Sequence, residues 1–106
     1  MNASQLKTMA LAVTSREQHL AFRAEWKQAY KQITLDIRSA KVAFVTSQKE
    51  CSKVYSSVNA VAMNKALYTL LTLRREANSM NNTLADAKIK AGIAMNVTPR
   101  VAAELA

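Results

Sequence analysis

Residues 15–50 read SREQHLAFRAEWKQAYKQITLDIRSAKVAFVTSQKE, and their spacing decides the fold. Phe22, Trp26, Ala29, Ile33, Ile37, Ala40 and Phe44 recur in steps of three and four, the period of an amphipathic helix. At about 100° per residue, these positions and Tyr30 cover an arc of about 100°. Arg16, Arg23, Lys27, Lys31, Arg38, Lys41 and Lys49 fall in a neighbouring arc of about 80° that no carboxylate enters. Glu17, Glu25, Asp36 and Glu50 take the remaining side. Charge is therefore sorted by sign as well as by polarity. Burial alone would sort polarity only.

Working outward, the helix has a legible start. Thr14-Ser15-Arg16-Glu17 fits a capping box, with a hydroxyl to accept an unpaired N–H and a Glu three residues later. Upstream, Leu6, Met9, Ala10 and Val13 predict a short helix over about residues 4–13. Downstream, the long helix is expected to reach about residue 50. Residues 46–59 are the most polar stretch and should hold a reversal, with a turn at Ser56-Ser57 and Asn59 as the next cap.

A second pattern follows: Met63, Ala66, Leu70, Leu73, Ala77, Met80, Leu84, Ala87, Ala91. This alternation of three and four is the spacing of a left-handed helical pair. It predicts a helix over about residues 59–91, bent or frayed at Asn78–Asn82, able to restart at Thr83–Asp86, and stopped by Gly92. Thr98-Pro99 then opens a short C-terminal helix over about residues 99–105.

With one Gly and one Pro in 106 residues, the chain has few places to turn, so strands are disfavoured. The expectation is a single all-α domain: an antiparallel long-helix hairpin, or small helical bundle, with short terminal helices. The seam is rich in Ala, which permits close approach but buries little area per residue. A homodimer is expected on that ground.

The net charge of +8 implies an anionic partner, either nucleic acid or an acidic protein surface. No apolar run reaches the ~20 residues that cross a bilayer, and the first 13 residues lack a signal-peptide pattern. Membrane binding is therefore not expected. Cys51 is alone, which fits a reducing, cytoplasmic setting.

Catalysis finds no support in the residues. His19 is the only histidine and is expected at the surface, four residues before Arg23, whose charge disfavours the imidazolium. No His or Cys pair has metal-ligand spacing, and one glycine cannot build a phosphate loop. No enzyme activity, metal or cofactor is expected. No family resemblance emerges from these residues.

The candidate site is the cationic stripe itself, Arg16 to Lys49, with Tyr30, Arg74 and Arg75 as secondary contacts. Phe22, Trp26 and Tyr30 form an i, i+4, i+8 ladder, and continuity with Ile33 assigns Phe22 and Trp26 to the core. Tyr30 borders the basic arc and can serve both. The expected function is a basic helical protein that docks on a polyanion, foremost nucleic acid, with little sequence specificity. The alternative is an inhibitor, adaptor or assembly subunit, of the accessory kind that viruses encode, using the same face on an acidic protein.

Overall fold

The computed structural model describes the backbone of residues 1–94 and the side chains of residues 1–92. The described residues form three helices: α1 (Ala3–Leu11), α2 (Arg16–Lys53) and α3 (Ser57–Ala94). No strand occurs among the described residues. The expected C-terminal helix at 99–105 lies outside them. Helices α2 and α3 pair as an antiparallel hairpin, and α1 packs along one end of it. The molecule measures 61 × 23 × 16 Å. Its radius of gyration is 18.7 Å, against about 13 Å for a compact chain of this length.

The helix ends depart from the sequence reading by one to three residues, each for a local reason. Helix α1 begins at Ala3 because Asn2 and Gln5 form a reciprocal capping box, and it ends at Leu11 rather than Val13. The cap of α2 is Ser15, whose hydroxyl accepts from Gln18 N–H, so Thr14 and Glu17 are not the pair that closes it. Gln18 reaches back instead and accepts from both the amide and the hydroxyl of Thr14. Ser56 caps α3, accepting from Asn59 N–H at 3.1 Å. Asn59 is thus inside the helix, where its amide donates to Val54 carbonyl across the reversal at 2.7 Å.

Two expected interruptions of α3 are absent. The helix passes through Asn78–Asn82 without a break, because Ala77 and Met80 are buried there and packing outweighs local propensity. Thr83 is buried, and its hydroxyl donates to Ser79 carbonyl instead of restarting a helix. Gly92 does not stop the helix, which runs on to Ala94. Glycine inside a helix costs roughly 1 kcal/mol relative to Ala, and here Gly92 is itself buried.

The α2–α3 seam follows the two apolar patterns: Phe22, Ile33, Ala40 and Cys51 face Leu70, Ala77 and Met80. Trp26 is half-buried, and its indole N–H donates to Met80 carbonyl at 2.8 Å. Its ring stacks on Tyr30, with centroids 4.7 Å apart and planes 9° from parallel.

Helix α1 runs parallel to α3 and buries Ala3, Leu6 and Ala10. Both of its ends are held by charged side chains of α3. Glu76 accepts from Ala3 N–H at 2.6 Å, and the Lys90 ammonium donates to Leu11 carbonyl at 2.9 Å. An anion at the N-terminus and a cation at the C-terminus match the helix dipole.

The third helix makes the two halves of the hairpin unequal. The continuous core of Leu6, Phe22, Ile33, Ala77, Met80 and Ala87 lies where α1 covers the seam. Among the described residues, nine of the thirteen exposed large hydrophobic residues lie between Leu35 and Leu71, in the half that α1 does not reach. The distal half is a two-helix pair.

Glu76→Ala should release α1. A hydrogen bond to a charged group contributes about 1.5–3 kcal/mol, so the variant should lose stability in that range. Amide exchange should accelerate over residues 3–11 while Ile33 and Leu70 stay protected. Unchanged protection of α1 would show that its apolar face alone holds it.

Candidate polyanion-binding face

The hairpin geometry assigns each charged residue to a face. Rotation is counted at about 100° per residue from the seam, taken at Ile33 in α2 and Ala77 in α3. In an antiparallel pair, rotations of the same sign lead to the same broad face. Tyr30 and Asn81 both lie at about +50°, and the Asn81 amide donates to the Tyr30 hydroxyl at 3.4 Å. Rotation of the other sign leads to Glu25, Gln32 and Asp36 of α2 and to Glu76 of α3, which line one cavity with Asn2 at the start of α1. Helix α1 and the acids therefore share one face.

The opposite face is basic. All seven stripe residues of α2 lie at about +80° to +160°, and six of them are exposed. Arg23 is half-buried. Arg74 lies at about +60° on α3 and is exposed. Trp26 opposite Met80 and Tyr30 opposite Asn81 set Arg74 level with about residues 32–37 of α2, between Lys31 and Arg38. The fold thus brings Arg74 to the stripe. Arg75 sits farther round, at the outer edge of α3. No carboxylate lies on the basic face among the described residues.

Tyr30 divides as its position implies. Its ring packs on Trp26, and its hydroxyl, at the border of the basic face, takes the Asn81 hydrogen bond. The aromatic ladder is thus committed to the interior. Tyr55 and Tyr68 are exposed, but they lie at the reversal and on the outer edge of α3. The basic face consequently offers charge without a stacking platform.

Two features of this face are not evident from charge alone. Leu20 is 52% exposed and Val45 37% exposed, and both fall inside the cationic arc. They could have been found by listing every residue in the arc rather than the cations only.

His19 corrects the sequence reading: it is buried, 8% exposed, and packs beside Phe22. Extending the apolar steps back from Phe22 by three residues makes His19 the first inward position of α2. Burial lowers its pKa, and the charges of Arg23 and Lys88 lower it further. It faces a small cavity beneath the end of α1, with Ala10, Val13, Ala87 and Ala91 in the wall. Thr14, Ser15, Arg16 and Lys90 complete its lining, and no carboxylate lies among the described residues there. No group of three or more His, Cys, Asp or Glu is placed to hold a metal among the described residues.

With the geometry in place, comparison with family models, with curated proteins and with solved structures finds no match to this chain.

The His19 burial has a signed pH consequence. A histidine whose folded pKa is lowered binds fewer protons folded than unfolded, so stability rises with pH across that window. The full contribution should be present above about pH 6.5, the ordinary histidine value, and be lost as pH falls through the folded value. Melting temperature measured from pH 8 to pH 5 should fall over the acidic part of this range. In His19→Gln it should be flatter. An equal slope in both proteins would assign the pH dependence to other groups.

Proposed function

We propose that this protein is a non-enzymatic, cytoplasmic binding protein whose basic face docks on the phosphate backbone of nucleic acid, and that it acts as a homodimer. One observation carries the reading: seven cations of α2 and Arg74 of α3 share a face that α1 leaves open and that no carboxylate of the described residues enters. From Arg16 to Lys49 the stripe runs about 50 Å, about one and a half turns of a duplex. Contacts of this kind hold the backbone and read little sequence. With its aromatic ladder spent on the seam, the face has no aromatic platform for unpaired bases. The reading therefore favours duplex over single strands. Among the described residues no helix is long and apolar enough to cross a membrane.

A second reading rests on Leu20 and Val45. Aliphatic side chains inside a cationic arc add nothing to phosphate binding, but they suit the apolar stripe of an acidic partner helix. In that case the protein is an inhibitor, adaptor or assembly subunit of a larger complex.

Fluorescence polarisation with duplex and single-stranded DNA and RNA at several salt concentrations separates these readings. Reversing Lys31 and Arg38 to Glu should weaken duplex binding by orders of magnitude. It should also flatten the slope of log affinity against log salt by about one unit per lost phosphate contact. Melting should barely move, because exposed charges contribute little to folding. Reversal of Lys53 and Lys65, which lie off the basic face, is the control for net charge. Equal loss in both pairs would reduce the stripe to a solvated surface. No measurable binding by the intact chain would turn the search to an acidic protein, with Leu20→Ala and Val45→Ala as the informative variants.

A further inference from the structure

The outer edge of α3, pointing away from α2, carries a second apolar seam. Val61, Tyr68 and Leu71 are 54%, 70% and 40% exposed. With Asn64 and Arg75 they recur in steps of three and four, within an arc of about 80° around the back of the helix. Between them lies a shallow groove lined by Val61, Asn64, Lys65, Tyr68 and Thr69. No carboxylate occurs in α3 before Glu76, so nothing on this edge attracts the basic face of another molecule.

The outer edge of α2 has a comparable row, Leu35, Val42 and Val45, but it is interrupted by Lys31, Arg38 and Lys49. Two such edges brought together would set three cations of each copy among the apolar positions, whereas the α3 edge carries Arg75 at the end of its row and Lys65 at its rim. The α3 edge has Asn64 between its apolar positions, a residue that can hydrogen-bond across a symmetric helix pair.

We infer that a second copy of this chain docks on this edge, α3 against α3, through a two-fold axis normal to the hairpin beside Ala66. The arrangement specifies the homodimer proposed above. Residues whose numbers sum to about 132 then meet: Val61 packs on Leu71 of the second copy, and Asn64 meets the Tyr68 hydroxyl. A self-complementary patch closes on itself and leaves no free edge to propagate.

The axis has a consequence for the basic face. Rotation about a normal to the hairpin keeps the same face upward in both copies. The cationic stripes therefore lie on one side of a flat four-helix layer, with Arg74 and Arg75 of both copies near its middle. A helix pair of about 19 residues buries on the order of 1,000 Å² in total, the low end of specific interfaces. The dimer should accordingly be reversible at micromolar concentration.

Sedimentation equilibrium of the full chain from about 5 to about 500 μM, at moderate salt, tests the assignment. The apparent mass should rise from 11.7 kDa towards twice that value. Tyr68→Glu combined with Leu71→Glu should remain at the monomer mass throughout, with unchanged helicity by circular dichroism. Tyr68→Ser alone should weaken the dimer at least tenfold, which covers the case in which the double variant misfolds. Leu35→Glu with Val42→Glu, on the α2 edge, should leave dimerisation intact. A wild-type chain that stays monomeric overturns the inference, as does a dimer that survives the α3 pair or dissolves with the α2 pair. Failure here is separable from failure of the polyanion reading. Stripe variants should still dimerise, and the Tyr68/Leu71 variant should still bind duplex, with a shallower salt dependence.

Discussion

The α2–α3 seam is the constraint on which the rest of this structure depends. Two helices of 38 residues each can lie close together because Ala40, Ala66, Ala77, Ala87 and Ala91 line the contact at regular spacing. Small residues permit that approach but remove little apolar area from water. Only where Phe22, Ile33 and Met80 coincide with α1 does a continuous core form. The hairpin is therefore anchored at one end and exposed at the other. Its elongation and its surface hydrophobic residues follow from that one allocation of large and small side chains.

The seam also fixes the electrostatics. Once Ile33 and Ala77 face each other, every other residue has a determined bearing, and the cations of the α2 stripe fall on the broad face opposite Glu25, Asp36 and Glu76. Helix α1 occupies the face that holds Glu25, Asp36 and Glu76, and Glu76 binds its N-terminus. The basic face is left open by the same event. Had α1 packed on the other side at the same level, Lys27 and Lys31 would have lain beneath a helix that offers no carboxylate to pair with them. Folding and presentation of the cationic stripe are thus one choice.

Much of this was legible in the residues, because a period of three and four over long runs admits few readings. The two long helices follow from that period, the reversal between 46 and 60 from the polar stretch there, and the absence of strand among the described residues from the scarcity of Gly and Pro. Boundaries were less so. Thr14 and Ser15 are equivalent as hydroxyl caps on paper, and only the reach of Gln18 distinguishes them. Gly92 reads as a stop, yet the α3 backbone continues through it. His19 read as a surface residue because a single imidazole near a helix start has no apolar identity. Its burial becomes visible only when the seam is extended back from Phe22. The meeting of Arg74 with the α2 stripe required the hairpin register, which no single-helix projection contains.

We propose that the arrangement of charge, rather than its total, governs duplex binding. Arg38→Glu combined with Glu50→Lys moves a positive charge from the basic face to the other side while the net charge stays at +8. Duplex affinity of this variant, measured beside wild type at one moderate salt concentration, is the most direct test. Affinity should fall at least tenfold with the helical content unchanged. Affinity equal to wild type would contradict it.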